Sequence, residues 1–562
     1  MYLRTTKRKN KNGSVVEYYQ LAHNVWNQKS NQAVAKIIHN FGRADDLDRD
    51  SLVRLCKSIA RVCGLEVNDT GAHQEQKVGC QGKNLLPDEV KLICTQELGT
   101  VMALEVLWER LGVGPALKKV IKQNVCLETY ERALLAMTAN RLCEPESKLG
   151  VWDRWLRKVY LPSCQNLKLD HMYEAMDFLH AHSSKVEETV FFRTANLFNL
   201  DVDLIFYDTT TAAFSIDEED GDGSGLRQYG HPKNGVWSPQ VVIALAVTRE
   251  GLPVRSWVFP GNTSDVKTVQ KVKADLKDWN LGRTLFVADS GMNSQDNRQE
   301  LAKACGKFLL AVRMGSVKEV KEEVLNQAGR YKIIADNLHA QEVLIGDGER
   351  RRRYILCYNP QEAKRQRRHR KQVIQELELE LSKHPERQAT AKWAINLLAS
   401  GRYKRYLHVI DNSICLNNQA IQDIARYDGK WVLITNDDTI TLDDAASGYK
   451  GLLIIERCFR TIKSAQIEVE PMHHWLPQRI EAHIKICVLA LLLGRAAEIK
   501  CNLPWARIKE DLSSLQATEF HTPEHRFFQR NEPSQNLLST LKSLEIPMPK
   551  VVLDITFSTT KT

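Results

Sequence analysis

The sequence predicts a mixed α/β fold for the central part of the chain. Short apolar runs with the composition of strands follow one another closely, at 203–208, 241–247, 253–259, 284–289 and 308–312. The segments between the last three runs carry apolar residues every three or four positions, which is the spacing of an amphipathic helix. Two of the runs end in an acid, Asp208 and Asp289. These observations predict a sheet covered by helices, with acidic side chains at the ends of two strands.

The elements can be placed in order along this part of the chain. Three strands come first, and the stretch at 261–264 ends the third and offers N-cap side chains. A helix at about 266–279, a strand, a helix at about 294–305 and a last strand follow. This order is that of the ribonuclease H-like (retroviral-integrase-like) fold, in which Asp208 lies on the first strand and Asp289 on the fourth.

The remaining segments predict further parts of the chain. The N-terminal part alternates as short strands and then has a helical pattern at about 48–63. Helices are also expected at 443–465 and 479–500. The predicted parts are a small N-terminal α+β module (1–65), a polar linker (66–90), a helical region (91–202), the α/β core (203–314 and 436–500), an inserted, mainly β subdomain (315–435) and a C-terminal region without a clear pattern (501–562).

Positive charge is concentrated in two short segments of this 562-residue chain, whose formal net charge is +9. The first eleven residues contain basic side chains, Lys7 and Arg8 among them, and no acid. The window 350–371 holds ten Lys or Arg against one acid, and Arg365, Arg367 and Arg368 lie in its predicted helix. Such clusters suit a polyanion such as the DNA backbone, although a solvated charged helix would have the same composition.

Composition also disfavours several classes of protein. The 13 cysteines are odd in number and form no Cys-x-x-Cys pair, so reduced thiols in a cytoplasmic protein are expected. No apolar run approaches the roughly 20 residues of a membrane-spanning helix. The basic N-terminus is not followed by an apolar signal region, so secretion is not indicated.

A third acid, Glu456, completes a set that suits metal-dependent phosphoryl transfer. Hard cations such as Mg²⁺ and Mn²⁺ prefer oxygen ligands, and three carboxylates from distant segments can share two ions. Asp208 would bridge both ions, while Asp289 and Glu456 would each complete one. Each acid also has an ordinary explanation, because aspartates are common at strand ends and Glu456 could pair with Arg460 one helical turn later.

The neighbourhood of Glu456 favours the functional interpretation. Tyr449, Glu456 and Lys463 are seven residues apart, nearly two helical turns each, and would share one helix face that Arg460 joins. The apolar residues around Glu456 predict a helix that is buried on most sides, where an unused carboxylate would be costly.

These residues resemble the Tyr-x2-Arg-x3-Glu-x6-Lys signature of bacterial insertion-sequence transposases of the DDE type. The run from Ile455 to Ser464 is similar to their C-terminal motif, and the sequences around Asp208 and Asp289 are similar to their first two acidic motifs. The chain departs from the signature at Leu452, where the group usually has Arg.

The resemblance implies a transposase that binds the terminal inverted repeats of an insertion sequence and joins its 3′-hydroxyls to target DNA with Mg²⁺. Asp208, Asp289 and Glu456 would be catalytic, while Tyr449 and Lys463 would hold phosphates or a flipped nucleotide. It also implies a homodimer in the DNA complex, association with the nucleoid, and an insert between the second Asp and the Glu that helps to hold DNA. The module 1–65 would recognise the repeats.

Two alternatives remain open from the sequence. A nuclease of the same fold would cut without joining and would not need the basic N-terminal module. A decayed, non-catalytic repressor should have lost at least one acid, whereas all three are present.

Overall fold

The computed structural model describes residues 2–9, 15–27, 32–43, 90–120, 127–200, 202–216, 218–221, 225–231, 237–279, 284–327, 329–463 and 466–557. The chain divides into two compact units, Met1–Asn84 and Leu85–Thr562. In the first, β1 (Tyr2–Lys9), β2 (Val15–Asn27) and β3 (Gln32–Arg43) form an antiparallel sheet. The helix predicted at about 48–63 lies outside the described residues.

The second unit contains the other strands and the helices of the described residues. Its strands are β4 (Lys91–Glu97), β5 (Leu204–Ala213), β6 (Gln228–Tyr229), β7 (Pro239–Val247), β8 (Pro253–Pro260), β9 (Leu285–Ala288), β10 (Lys307–Val312), β11 (Lys332–Ala335), β12 (Leu338–Ile345), β13 (Arg352–Tyr358), β14 (Leu407–Ile410), β15 (Ser413–Leu416), β16 (Lys430–Thr435), β17 (Gln516–His521), β18 (His525–Arg530) and β19 (Val552–Phe557).

The helices of five residues or more, short 3₁₀ and π segments aside, are α1 (Gly99–Arg110), α2 (Val113–Val120), α3 (Leu127–Cys143), α4 (Leu169–Leu197), α5 (Asp265–Leu276), α6 (Gln295–Ala302), α7 (Lys318–Glu322), α8 (Pro360–Ser382), α9 (Lys392–Ala399), α10 (Asn418–Ala425), α11 (Leu442–Lys450), α12 (Leu453–Lys463), α13 (Pro477–Cys501), α14 (Trp505–Ser513) and α15 (Gln535–Ser543).

A mixed sheet forms the centre of the second unit. Its core strands lie in the order β8-β7-β5-β9-β10, that is, third, second, first, fourth and fifth along the chain. β5, β9 and β10 are parallel, whereas β7 runs antiparallel to β5 and β8 antiparallel to β7. This order and these directions confirm the predicted ribonuclease H-like fold.

Apolar layers cover both faces of the sheet. Alternate residues of β5 point to opposite sides, so Leu204 and Phe206 join one buried cluster, while Ile205 and Tyr207 join the other. The first cluster includes Ile455 and residues of α13, and the second includes residues of α5. β7 is buried along its whole length, as a strand between two apolar layers should be.

The segment predicted as an inserted, mainly β subdomain extends the core sheet. β16 pairs with both β10 and β13, and β13 continues through β12 to β11. The segment also contains α8, α9 and α10. One face of α8, with Val373 and Leu377, packs in a small cluster together with Tyr406. The insert therefore combines a widened sheet with a helical layer.

The parts flanking the core pack together although they are distant in sequence. β4, at the start of the region predicted to be helical, pairs with β17 in a four-stranded sheet with β18 and β19. The C-terminal region lacked a clear sequence pattern, yet its described part, up to residue 557, contains three strands and two helices. None of the described helices is long and apolar enough to cross a membrane.

Candidate active site

Asp208 lies within β5 and on the face of the sheet that α12 covers. The sequence predicted that the strand would end at this acid, but β5 continues to Ala213. The extension follows from the β-branched run Thr209–Thr211, whose side chains are buried and whose backbone pairs with β7. Asp208 is half-buried, and its Oδ1 accepts a hydrogen bond from the backbone N of Thr209 at 2.7 Å.

Asp289 follows β9 directly, as the sequence predicted. β9 is the parallel neighbour of β5, and Tyr207 lies opposite Ala288 in the register. The next residues, Asp208 and Asp289, therefore lie on adjacent strand paths, which are about 4.8 Å apart in a sheet. By alternation they point to the same face.

Glu456 lies in the first turn of α12 and is exposed at the sheet face carrying the two aspartates. The helix predicted at 443–465 is interrupted, because Tyr449 belongs to α11. Gly451 lies at the break, and a Cβ there would come within 2.5 Å of a ring carbon of Phe206. α12 is also amphipathic rather than buried on most sides, since Leu453 is 55% exposed. The predicted face shared by Tyr449, Glu456 and Lys463 therefore spans two helices.

Tyr449 connects the three acids. Its phenol donates a hydrogen bond to Oδ1 of Asp289 at 3.0 Å. Burial and then the negative charges of Asp289, Asp208 and Glu456 raise the pKa of Tyr449 far above its ordinary value of 10.0. All three carboxylates therefore lie within electrostatic reach of one hydroxyl group, and the phenol stays protonated as a donor.

A fourth carboxylate, Asp265, belongs to the same site. A cavity of about 330 Å³ is lined by Asp208, Thr209, Thr210, Asp265, Asp289, Gly291, Met292, Glu456 and Phe459. Thr209 donates a hydrogen bond from Oγ1 to Oδ1 of Asp265 at 2.5 Å. Asp265 begins α5, and its backbone oxygen accepts a bond from Thr268, to which the buried Tyr207 donates in turn.

Sequence reasoning did not identify Asp265 as a site residue. It lies in a stretch of loop and N-cap residues, and its proximity to Asp208 depends on where α5 packs against the sheet. The available signal was that an acid at the start of a helix directly follows the third strand of the fold.

The donor set fits divalent metal ions in its chemistry. Carboxylate oxygens from four side chains line one cavity, which suits Mg²⁺ or Mn²⁺ and does not suit softer ions. Across the described ranges, no three acidic, histidine or cysteine side chains are already gathered as a closed metal cluster. Oδ1 of Asp208 accepts a bond from the backbone N of Thr209, and Oδ1 of Asp289 accepts one from Tyr449.

The predicted DNA-binding residues are placed in different parts of the molecule. Arg460 is exposed and Lys463 half-buried on α12, close in sequence to Glu456. Arg365, Arg367 and Arg368 are exposed on α8, and Arg365 pairs with Glu362 at 2.8 Å. Lys7 and Arg8 lie on β1, and their side chains lie outside the described part of the structure.

Two arginines of the basic window are buried and form ion pairs inside the protein. The guanidinium of Arg370 is buried and forms a two-pronged ion pair with Asp428 at 2.5 and 2.6 Å. Arg353 is buried beside Glu342, with 2.5 Å between Nε and Oε1. Composition alone cannot separate these buried cations from the exposed ones.

Three arginines lie beside the acidic cavity, and of these only Arg352 belongs to the basic window predicted from the sequence. A cavity of about 310 Å³ shares Gly291 with it and is lined by Arg298, Arg313 and Arg352. A larger cavity, about 660 Å³, shares Asp265 and Gly291 with the acidic site and also reaches Arg313. An acidic centre is thus flanked by arginines, which is the charge pattern expected where a phosphate chain approaches bound cations.

Comparison with known families matches two segments of the chain. The family described as "Transposase DDE domain" matches residues 214–493, a range that contains Asp289 and Glu456 and begins just after Asp208. The family described as "IS1634 family transposase, N-terminal domain" matches residues 3–70. None of the curated proteins matches the chain.

Solved structures show a distant likeness. One is the "piggyBac transposase synaptic complex with hairpin DNA", with 9% identity, coverage of 74% of this chain and 79% of that one, and a TM-score of 0.34. Another is the "Mos1 transposase paired-end complex with left transposon end", with 11% identity, coverage of 46% and 66%, and a TM-score of 0.13.

Proposed function

Because this chain belongs to the insertion-sequence transposases of the DDE type, which cut and join DNA, we propose that Asp208, Asp289 and Glu456 are its catalytic carboxylates. One observation carries this assignment: the three acids come from three distant segments and line one cavity. Their positions on β5, after β9 and on α12 follow from the sheet register and from alternation along the strands.

Enzymes of this family depend on divalent metal ions, and we propose two Mg²⁺ ions here, with Mn²⁺ as a substitute. Asp208, Asp289 and Glu456 would hold them. When bound, the ions supply a polarised attacking oxygen and stabilise the departing oxygen. The carboxylates would do little else, because positioning and charge neutralisation provide most of the catalysis in phosphoryl transfer.

Neighbouring side chains orient the acids. Tyr449 fixes one oxygen of Asp289 through its hydrogen bond, which leaves the other oxygen for an ion. Thr209 bonds to Asp265, so the segment that carries Asp208 is tied to the start of α5. The side chain of Asp265 also adds negative charge to the cavity. Tyr449 and Asp265 are therefore positioning residues in this proposal, and Asp265 also increases the affinity for cations.

Arginines of the adjoining cavities would hold the DNA backbone. Arg313 lines both of them and is exposed, and Arg298 and Arg352 line one. Arg460 and Lys463 would contact phosphates near the cut, while Arg365, Arg367 and Arg368 would contact DNA farther away. The N-terminal unit, with Lys7 and Arg8, would recognise the terminal repeats. A homodimer would bring two ends together.

The proposed reaction has two steps, and each is the attack of an oxygen nucleophile on a phosphodiester. Water attacks a phosphodiester at the element end, the bond to the 3′-oxygen breaks, and a 3′-hydroxyl remains. That hydroxyl then attacks a target phosphodiester, so that a new P–O bond forms as another breaks.

The test is an assay of cleavage and strand transfer with Mg²⁺ on duplexes with and without the element's terminal repeats. Cutting and joining of the repeat duplex supports the proposal, and cutting without any joining points instead to a nuclease.

A further inference from the structure

Two buried cations outside the acidic site have no acidic partner. Arg141, at the end of α3, is 5% exposed, and Lys148, at the start of the following helical segment, is 4% exposed. Neither forms an ion pair with any carboxylate of the described residues, whereas the other strongly buried lysine, Lys485, is paired with Glu187 at 2.8 Å. Burying a charge without a counter-charge is unfavourable, so a partner is missing for this pair.

The hydrogen bonds of the two cations are incomplete as well. Lys148 donates to Nδ1 of His483 at 2.8 Å, which uses one of its three N–H groups. The terminal nitrogens of Arg141 donate to the backbone oxygens of Glu146, Ile467 and Glu468 and to the side-chain oxygen of Asn140. Among the described residues, the buried Nε of Arg141 has no hydrogen-bond partner. The donors left over are therefore Nε of Arg141 and the remaining N–H groups of Lys148.

The two residues share a cavity that opens to solvent. Its volume is about 260 Å³, and its lining includes Arg141, Ser147, Lys148, His474 and His483. Burial and the charge of Arg141 lower the pKa of Lys148 to about 7, so an anion bound beside Lys148 would favour its charged form. Nε2 of His483 lies 3.1 Å from the backbone oxygen of Val469; a proton there would leave Nδ1 to accept from Lys148.

Three acids, Glu146, Glu468 and Glu470, also line this cavity, and two of them have partners outside it. Glu146 binds Arg154 at 2.6 Å, and Oε1 of Glu470 accepts a bond from the backbone N of Ala213 at 2.8 Å. Glu468 is exposed and offers Arg141 its backbone oxygen. The charges of Glu468 and Glu146 partly oppose the lowering of the pKa of Arg141 by burial.

We propose that this cavity binds a single phosphate group through the guanidinium of Arg141 and the ammonium of Lys148. Phosphate is the ligand chemistry that fits, because the Nε–H of Arg141 and the ammonium of Lys148 are charged donors suited to one tetrahedral anion. His474 and Ser147 line the same cavity and can add neutral hydrogen bonds.

The cavity is close enough to the acidic site for the phosphate to belong to bound DNA, an assignment that rests on the proposed function. Glu470 and Met472 bind the end of β5 at Ala213 and Phe214. Five residues of strand separate Ala213 from Asp208, roughly 17 Å at about 3.3 Å each. Measured along the axis of a DNA duplex, this distance corresponds to about five base pairs. The other source of a phosphate group for this cavity is free inorganic phosphate in solution.

The first arm of the test uses the full-length protein without DNA. Inorganic phosphate should raise the Tm of the wild type relative to chloride at equal ionic strength. Lys148→Met should abolish this rise and, because it removes an uncompensated buried charge, should not lower the Tm in chloride. Lys485→Met removes a lysine that already has a carboxylate partner, so the phosphate-induced rise should persist in that variant even if its overall Tm falls.

The second arm distinguishes the sources of the phosphate. Single neutral methylphosphonates are placed in turn along a duplex that carries the terminal repeat. A DNA phosphate in the cavity predicts one position at which the wild type loses about tenfold in affinity and Lys148→Met loses nothing further. A Tm rise without such a position assigns the cavity to free phosphate. If the wild type shows neither a phosphate-induced rise in Tm nor a sensitive methylphosphonate position, the proposal is wrong. Because the first arm uses no DNA, its result does not depend on whether the protein cleaves DNA.

Discussion

The phenol of Tyr449 donates a hydrogen bond to Oδ1 of Asp289 across a separation of 160 residues in the chain. This contact joins α11 to the end of β9 and lies at the centre of the acidic site. The break between α11 and α12 makes it possible, because it lets Tyr449 point to one aspartate while Glu456 approaches the cavity from the next helix. The site therefore depends on a helix interruption at Gly451.

Removing this hydroxyl should slow the reaction without unfolding the protein. We expect Tyr449→Phe to lower the rate of strand cleavage by roughly tenfold to a hundredfold, the value of a hydrogen bond to a charged group. More Mg²⁺ should be needed for half of the maximal rate, since Asp289 is then less well oriented. Cleavage rates over a series of Mg²⁺ concentrations measure the maximal rate and the Mg²⁺ concentration that gives half of it. Tyr403→Phe is the control, because Tyr403 makes a similar bond, 3.0 Å, to the exposed Glu376; equal effects of the two variants would contradict the role of Tyr449.

The charge of Asp265 should matter for cation affinity. We expect Asp265→Asn to keep the bond from Thr209 through its amide oxygen and to raise the Mg²⁺ concentration for half-maximal cleavage several-fold, because the cavity loses one negative charge. The maximal rate at saturating Mg²⁺ should change less. Asp296→Asn changes an exposed acid in the first turn of α6 and should leave both quantities as in the wild type. An unchanged Mg²⁺ requirement in Asp265→Asn would remove Asp265 from the site.

Arg313 should contribute to DNA affinity in a way that depends on salt. One phosphate contact accounts for about one unit in the slope of log K against log salt, so Arg313→Ala should reduce the magnitude of that slope by about one. Binding to repeat and non-repeat duplexes should weaken by similar factors, because a backbone contact does not distinguish sequences. Lys185→Ala, a change at an exposed lysine on α4, serves as the control. An unaltered slope in Arg313→Ala would show that DNA does not pass over these cavities.

The half-buried histidine His474 should make the protein sensitive to acid. Burial and the positive charges of Lys148, Arg479, His473 and Arg141 lower the pKa of His474 from 6.5 to about 3. Between these two values the unfolded chain binds a proton that the folded protein does not, so the free energy of unfolding should fall as the pH falls from about 6.5 to about 3.

Chemical unfolding at several pH values tests this sensitivity. His474→Gln should make the free energy of unfolding less dependent on pH in that window, while His369→Gln, at an exposed position on α8, should not change the dependence. If the free energy of unfolding of His474→Gln depended on pH as strongly as that of the wild type, this would contradict the lowered pKa of His474.

The central sheet could be predicted from the sequence because its strands are short apolar runs in a fixed order. β9, β10 and α13 each lie close to the predicted segment. The two aspartates followed from the same pattern, since each comes directly after a run of apolar residues. Local patterns were sufficient wherever the structure depends on residues that are neighbours in the chain.

Features that depend on distant packing could not be predicted in this way. β4 pairs with β17 more than 400 residues later, so the periodicity of residues 91–97 alone does not indicate a strand partner. The break at Gly451 follows from the close approach of Phe206, and Asp265 joins the site only because α5 packs beside β5. The buried ion pairs of Arg353 and Arg370 likewise require a folded neighbour.

The assignment of the three catalytic carboxylates is tested most directly by a Mg²⁺-dependent cleavage and strand-transfer assay. The assay compares Asp208→Ala, Asp289→Ala and Glu456→Ala with the wild type. DNA binding and Tm are measured in parallel, and Asp438→Ala, at an exposed acid, is the control. We predict that the three variants fold and bind the repeat duplex but neither cut nor join it, while the control does both. Full activity in any one of the three, above all in Glu456→Ala, would contradict the assignment of the catalytic carboxylates.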